Sequence, residues 1–216
     1  MKGLLLKDIY VTVKQCRSLL IIAVAFIAAG IALDNAFFTN YTGILVSTLP
    51  ITLLSYDERS HFDKYSATLP VSRSQYVSAK YLIGLLALLC AMIVLAAALA
   101  VKSAADGSFS PGGLAARMMA FLSFSLVVPA LDLPFIFRFG VEKGRIAYLI
   151  ILIACAGLLA AVPFLSSSDP AEADTLGYEA LYTAKGFLLP ALCLLAVALY
   201  TGSWALSAAL YKKREL

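Results

Sequence analysis

Residues that could do chemistry are few in this sequence, and their spacing argues against most of it. His61 is the single histidine in 216 residues, so a zinc site has no second imidazole. A Ser-His hydrolase would have only that base, which stands in the charged string DERSHFDKYS. Asp132 is the one acid deep inside an apolar run, whereas an aspartyl pair needs two facing carboxylates. Cys90, Cys155 and Cys193 lie within apolar runs and Cys16 just before one; without CxxC spacing they fit buried small hydrophobes. The phosphate-cradling pattern GxxxxGK[ST] is absent. The sequence therefore predicts no catalytic residue, no metal site and no cofactor bound by this chain. Asp132 stays open: an acid in such a run is a functional candidate by default. The bland alternatives are a pair with Arg138, six residues on, or capping of backbone groups freed by Pro129 and Pro134 in PALDLP.

The elements that must carry these residues follow from composition. Hydrophobic residues make up 62% and charged residues 14%, with a mean hydropathy of +0.89. So few charges cannot cover a water-soluble surface, and the natural solvent for most of the chain is lipid. The same numbers exclude intrinsic disorder, and four cysteines are too few for a secreted disulfide scaffold. The net charge of +4 does not point to nucleic acid, because the basic residues punctuate apolar runs instead of forming a patch. Since a spanning helix needs about 20 mostly apolar residues, the distance between charges predicts six spans: 18–37, 41–56, 81–101, 118–137, 146–165 and 186–211. The second is the shortest and contains Pro50.

Of the 17 Lys and Arg, 14 fall at the N-terminus, in the second and fourth connections and in the C-terminal tail; Lys102, Arg117 and Lys185 fall on the other side. By the positive-inside rule both termini are cytoplasmic. The start, MKGLLLKDIYVTVKQCR, has too long a basic region for a signal peptide. It places Leu5, Ile9, Val13 and Tyr10 on one helical face, with Lys7, Asp8, Lys14 and Gln15 elsewhere, as an amphipathic elbow helix at the inner interface would. No linker divides the chain and no internal repeat stands out, so residues 1–216 read as one all-α membrane domain.

The informative connection is 57–80. Phe62 and Tyr65, three apart, would form an aromatic stripe on a short helix while Asp57, Glu58, Arg59 and Lys64 stay in water. Pro70 ends that helix, and Ser72 with Gln75 has the form of a capping box opening the next. This segment is either a rigid surface lever or a loop resting on headgroups. Small residues at four-residue spacing, Ala25 with Ala29 and Gly157 with Ala161, allow close helix contact within one protomer or across a dimer.

The strings DERSHFDKYSATLPVSRSQYVSAKYL from Asp57 and FRFGVEKGRIAYLI from Phe137 resemble the two cytoplasmic motifs of bacterial ABC-transporter permeases of the type-2 exporter class, phenol-soluble-modulin exporter permeases among them. The resemblance departs at Ala79, where a serine is common. It implies a permease subunit without chemistry of its own, served by a separate ATPase that holds ATP and Mg. It implies a coupling helix with Asp57, Glu58, Phe62, Asp63, Tyr65, Pro70, Arg73 and Lys80 in the first ATPase contact, and Gly140, Glu142, Lys143 and Arg145 in the second. It also implies a homodimer whose first and fifth helices meet, through Ala25, Ala29, Gly157 and Ala161, and export of amphipathic or hydrophobic cargo such as phenol-soluble-modulin peptides. The alternatives are a secondary transporter or channel-like protein, which would carry several intramembrane charges in matched halves, and a structural membrane subunit without transport.

Overall fold

The structure, a computed structural model, describes residues 2–33, 36–62, 65, 72–105, 111–141, 143, 144, 146, 150, 153 and 188–212. Among them there is no strand. The helices are α1 (Lys2–Gln15), α2 (Arg17–Ala32), α3 (Ala36–Ser47), α4 (Leu49–Arg59), α5 (Arg73–Ala105), α6 (Pro111–Phe139) and α7 (Leu188–Lys212). Three of them, α5, α6 and α7, are each long and apolar enough to cross a membrane; α1 and α2 make a fourth candidate if taken as one bent span. The expected fifth span, 146–165, and the connection that follows it lie almost wholly outside the described residues.

The expected second span is not one helix. It is interrupted at Thr48, because Pro50 has no N–H to give the carbonyl of Val46. Hydroxyl groups take up carbonyls around the break: Ser47 donates to the Ile44 oxygen (2.7 Å), Thr48 to that of Leu45 (2.7 Å) and Thr52 to that of Thr48 (3.1 Å). At Cys16, which is buried, the chain turns by 70° between α1 and α2.

The centre of the bundle is α6. Its apolar window is 72% buried within the chain, against 28% for α5 and 22% for α7. Phe121, Leu126, Leu133, Ile136 and Phe137 of α6 are covered by neighbours from the other helices, while Leu82, Leu86, Leu89 and Ile93 of α5 and Leu194, Leu195 and Leu199 of α7 point outward. Outward apolar rows at helical spacing are what a lipid-solvated helix presents. Two glycines set close approaches: a Cβ at Gly43 would run into the Ser125 side chain, and one at Gly84 would lie 2.6 Å from the Pro50 ring. A hydroxyl ladder joins α5 to α7, with Tyr81 Oη 2.7 Å from both Ser203 Oγ and Ser207 Oγ and Tyr200 Oη donating to the Tyr81 carbonyl.

Candidate functional site

At the end of the bundle where α1, α4 and α5 meet, two acids and two bases alternate, all but Lys7 out of water and Lys7 27% exposed. From α1, the pattern LLLKDIYV turns Asp8 inward beside Leu4, one helical turn away. From α4 comes Asp57, and from α5 come Tyr76 and Lys80, again one turn apart. Lys80 Nζ donates to both oxygens of Asp8 (2.8 and 2.9 Å) and lies 2.7 Å from Asp57 Oδ2. Lys7 Nζ donates to Asp57 Oδ1 (2.6 Å), is 3.3 Å from Asp8, and sits 3.6 Å over the centre of the Phe62 ring. Tyr76 Oη donates to Asp57 Oδ2 at 2.9 Å. The Lys80 and Asp8 side chains are each only 1% exposed. Charges so placed are tolerable because the four sum to zero and both acids accept charge-assisted bonds.

This arrangement corrects two expectations. Asp57 is not in water: it is 5% exposed, and Lys80 is 1% exposed. The polar side of α1 also faces the bundle through Asp8, whereas Ile9, Tyr10 and Val13 are exposed. The sequence places Lys7 and Asp8 off the apolar face of α1; the signal for the burial of Asp8 is the helical wheel, which puts it among Leu4, Leu5 and Thr12.

Burial pushes the Asp57 carboxyl up, but the Lys80 and Lys7 ammonium groups more than offset it and hold the group below the usual carboxylate range. A lowered folded value stabilises the fold above the unfolded value, about 4, and that contribution is lost as pH falls through the folded value. The thermal midpoint of the purified protein should therefore drop on acidification below about pH 4. Asp57→Asn should show a shallower acid limb in the same measurement, and an unchanged slope would remove the acid from this role.

The last turn of α4 is tied to the segment after α6. Glu58 accepts the backbone N–H of Val141 through Oε2 at 2.9 Å, placing a carboxylate at the start of the turn that follows α6. Gly140 permits the chain to leave α6 there with φ of 85°. Arg73, exposed at the start of α5, donates to the Lys212 carbonyl at the end of α7 (3.0 Å), and Tyr76 stacks on Tyr211 with ring centroids 5.6 Å apart. The expected capping box forms, Ser72 N–H to Gln75 Oε1 (3.1 Å) and Gln75 N–H to Ser72 Oγ (3.3 Å). Phe62 is half-buried under Lys7, and Tyr65, 59% exposed, holds its ring 5.9 Å from that of Phe62. Lys143 is exposed. Asp63, Pro70, Glu142 and Arg145 lie outside the described residues. Of the small-residue faces, Ala25 is exposed and Ala29 half-buried on α2; Gly157 and Ala161 lie outside the described residues.

The chain matches the model of the ABC-2 family transporter proteins over residues 3–212. It belongs to that family. No curated protein matches it. An ABC-2 family protein is a membrane transport component, not itself catalytic, that works with an ABC ATPase subunit. The apolar helices agree with that setting in the membrane.

In this ABC-2 family chain Asp132 is fully buried, and neither carboxylate oxygen has a hydrogen-bond partner among the described residues. The pair with Arg138 does not form. Six residues turn about 240° around a helix, and Arg138 is exposed with its guanidinium 5.0 Å from the Phe139 ring. Nor can an ionised acid cap what Pro129 and Pro134 free, since those are carbonyls and a carboxylate only accepts. An uncompensated buried polar group costs roughly 1 to 3 kcal/mol, so Asp132→Asn should leave the thermal midpoint unchanged or raised. A fall of several degrees would assign the acid a structural partner.

Proposed function

We propose that this chain is the permease subunit of an ATP-driven exporter. It spans the membrane six times with both termini in the cytoplasm of a bacterial cell, and works as a homodimer with two ATPase subunits that hold ATP and Mg. In this reading α1 is an elbow helix along the inner leaflet, and the segment after α4, with Phe62 and Tyr65, is the coupling helix. The observation that carries the reading is the buried junction of Lys7, Asp8, Asp57 and Lys80. It anchors the end of α4, from which that segment leaves, to α1 and α5, and Glu58 ties the same end to the chain after α6. A push on it would be passed to several helices at once, as conversion of hydrolysis into helix movement requires. Asp57 and Lys80 are then positioning residues behind the contact, while Tyr65, Arg73 and Lys143 are exposed for it; the roles of Asp63, Pro70, Glu142 and Arg145 rest on the resemblance.

The dimer seam would use the exposed small face of α2 around Ala25 together with Gly157 and Ala161. The cargo class follows from the scarcity of charge: a path with so few polar groups cannot replace the water of a sugar or an inorganic ion, so it suits amphipathic or hydrophobic molecules, amphipathic helical peptides above all. Expressed with a candidate ABC ATPase, the chain should copurify with it, and amphipathic peptides should raise ATP hydrolysis in proteoliposomes. Failure to retain any ATPase, with transport persisting under an ion gradient alone, would overturn the reading.

A further inference from the structure

We propose that α1 and α4 form a seat for the headgroup of an anionic phospholipid. Three features converge on it. First, the outer side of α1 is an unbroken apolar stripe at i, i+3, i+4 and i+7: Leu6, Ile9, Tyr10 and Val13, with Leu6 74% exposed. Because α1 turns 70° away from α2, the stripe runs nearly along the bilayer surface when α2 crosses it. Second, charge flanks the stripe with one sign. Lys14 is exposed with its ammonium 5.8 Å from the Tyr10 ring, Arg17 is exposed at the bend, and the acid of α1, Asp8, is buried and matched by Lys80.

Third, a cavity of about 390 Å³ opens between the basic edge of α1 and the end of α4. Lys7, Gln15, Tyr56, Arg59, Ser60 and Phe62 are among its walls. Asp57 also borders it, but both of its oxygens already accept bonds from Lys7, Lys80 and Tyr76. What remains toward the cavity among the described residues is the donor set of Arg59 and Gln15, next to a stripe on which acyl chains can lie; the Ser60 hydroxyl already donates to the Tyr56 carbonyl (2.9 Å). A phosphate monoanion with a neutral substituent satisfies these donors. A choline would bring a second cation against Lys14 and Arg59. The inference stands on membrane location alone and does not need the ATPase reading.

Binding of dioleoyl phosphatidylglycerol and of dioleoyl phosphatidylcholine to the purified full chain in neutral detergent, read as retained lipid per protein, decides it. Phosphatidylglycerol should bind more tightly, and added salt should weaken it. Lys14→Gln with Arg59→Gln, two exposed side chains outside the buried ion cluster, should weaken phosphatidylglycerol about 30-fold, taking about 1 kcal/mol for each basic group at the surface. The charge-keeping pair Lys14→Arg with Arg59→Lys should retain it, which separates lost binding from lost fold. Inorganic phosphate and glycerol 3-phosphate should fail to compete. Equal affinity for the two lipids, an unaffected double glutamine variant, or full competition by inorganic phosphate would each overturn the proposal.

Discussion

Replacing Lys80 by methionine should lower the thermal midpoint of the purified protein by about 10 °C. Methionine keeps the volume and the apolar stem, so packing is nearly conserved and the loss is electrostatic. Without Lys80, Asp8 loses both of its 2.8 and 2.9 Å bonds and Asp57 keeps only Lys7 and Tyr76. Removing one partner of a buried ion pair costs about 3 to 5 kcal/mol, since the other charge remains out of water. In a chain of this size about 1 kcal/mol moves the midpoint by 2 to 4 °C. The decisive comparison is the double variant Lys80→Met with Asp8→Leu, which removes one charge of each sign and leaves the Lys7–Asp57 pair neutral. It should recover most of the loss, because a buried pair replaced by apolar residues of similar volume is often no less stable. Additive losses in the double variant would mean that Lys80 and Asp8 do not meet.

What the sequence made legible divides along physical lines. Local signals held: the Ser72/Gln75 capping box is a contact between residues three apart, and α5, α6 and α7 follow from apolar runs that need no partner to be recognised. Pro50 marked its span as weak, and the break came two residues before it. The ion cluster was not legible as a whole, because its α1 residues bond to partners 50 and 72 residues further on and a charge in a short helix is ordinarily solvated. Once Asp8 is turned inward by the periodicity of α1, it needs a cation, and only the tertiary fold names Lys80. The same gap explains why Asp57 and Lys80 were expected on a contact surface: their neighbourhood in sequence is polar, while their neighbourhood in space is closed. Asp132 shows the converse. Its position in an apolar run foretold burial, but six-residue spacing to Arg138 placed the supposed partner on another face of α6.

Truncating the two aromatic rings after α4 should separate anchoring from contact. Phe62 is half-buried, with the Lys7 ammonium 3.6 Å above its ring, so Phe62→Ala removes a cation–π contact worth about 0.5 to 2 kcal/mol and loosens the segment from α1. Tyr65 is 59% exposed, with its ring 5.9 Å from that of Phe62, so most of its side chain is open to a partner. If Tyr65 is a central anchor at the ATPase, Tyr65→Ala should cost about 2 kcal/mol of association, close to 30-fold in Kd, while leaving the thermal midpoint of the isolated permease in place. Phe62→Ala should lower both the affinity and the midpoint. Leu82→Ala, which removes a 40% exposed apolar side chain on the outward face of α5, should change neither pull-down of the ATPase nor cargo-stimulated hydrolysis. A segment that only rests on lipid headgroups predicts the opposite pattern, with association and stimulation unchanged in both aromatic variants. That outcome would remove the coupling role from Phe62 and Tyr65 and leave the family as the sole support for an ATPase partner.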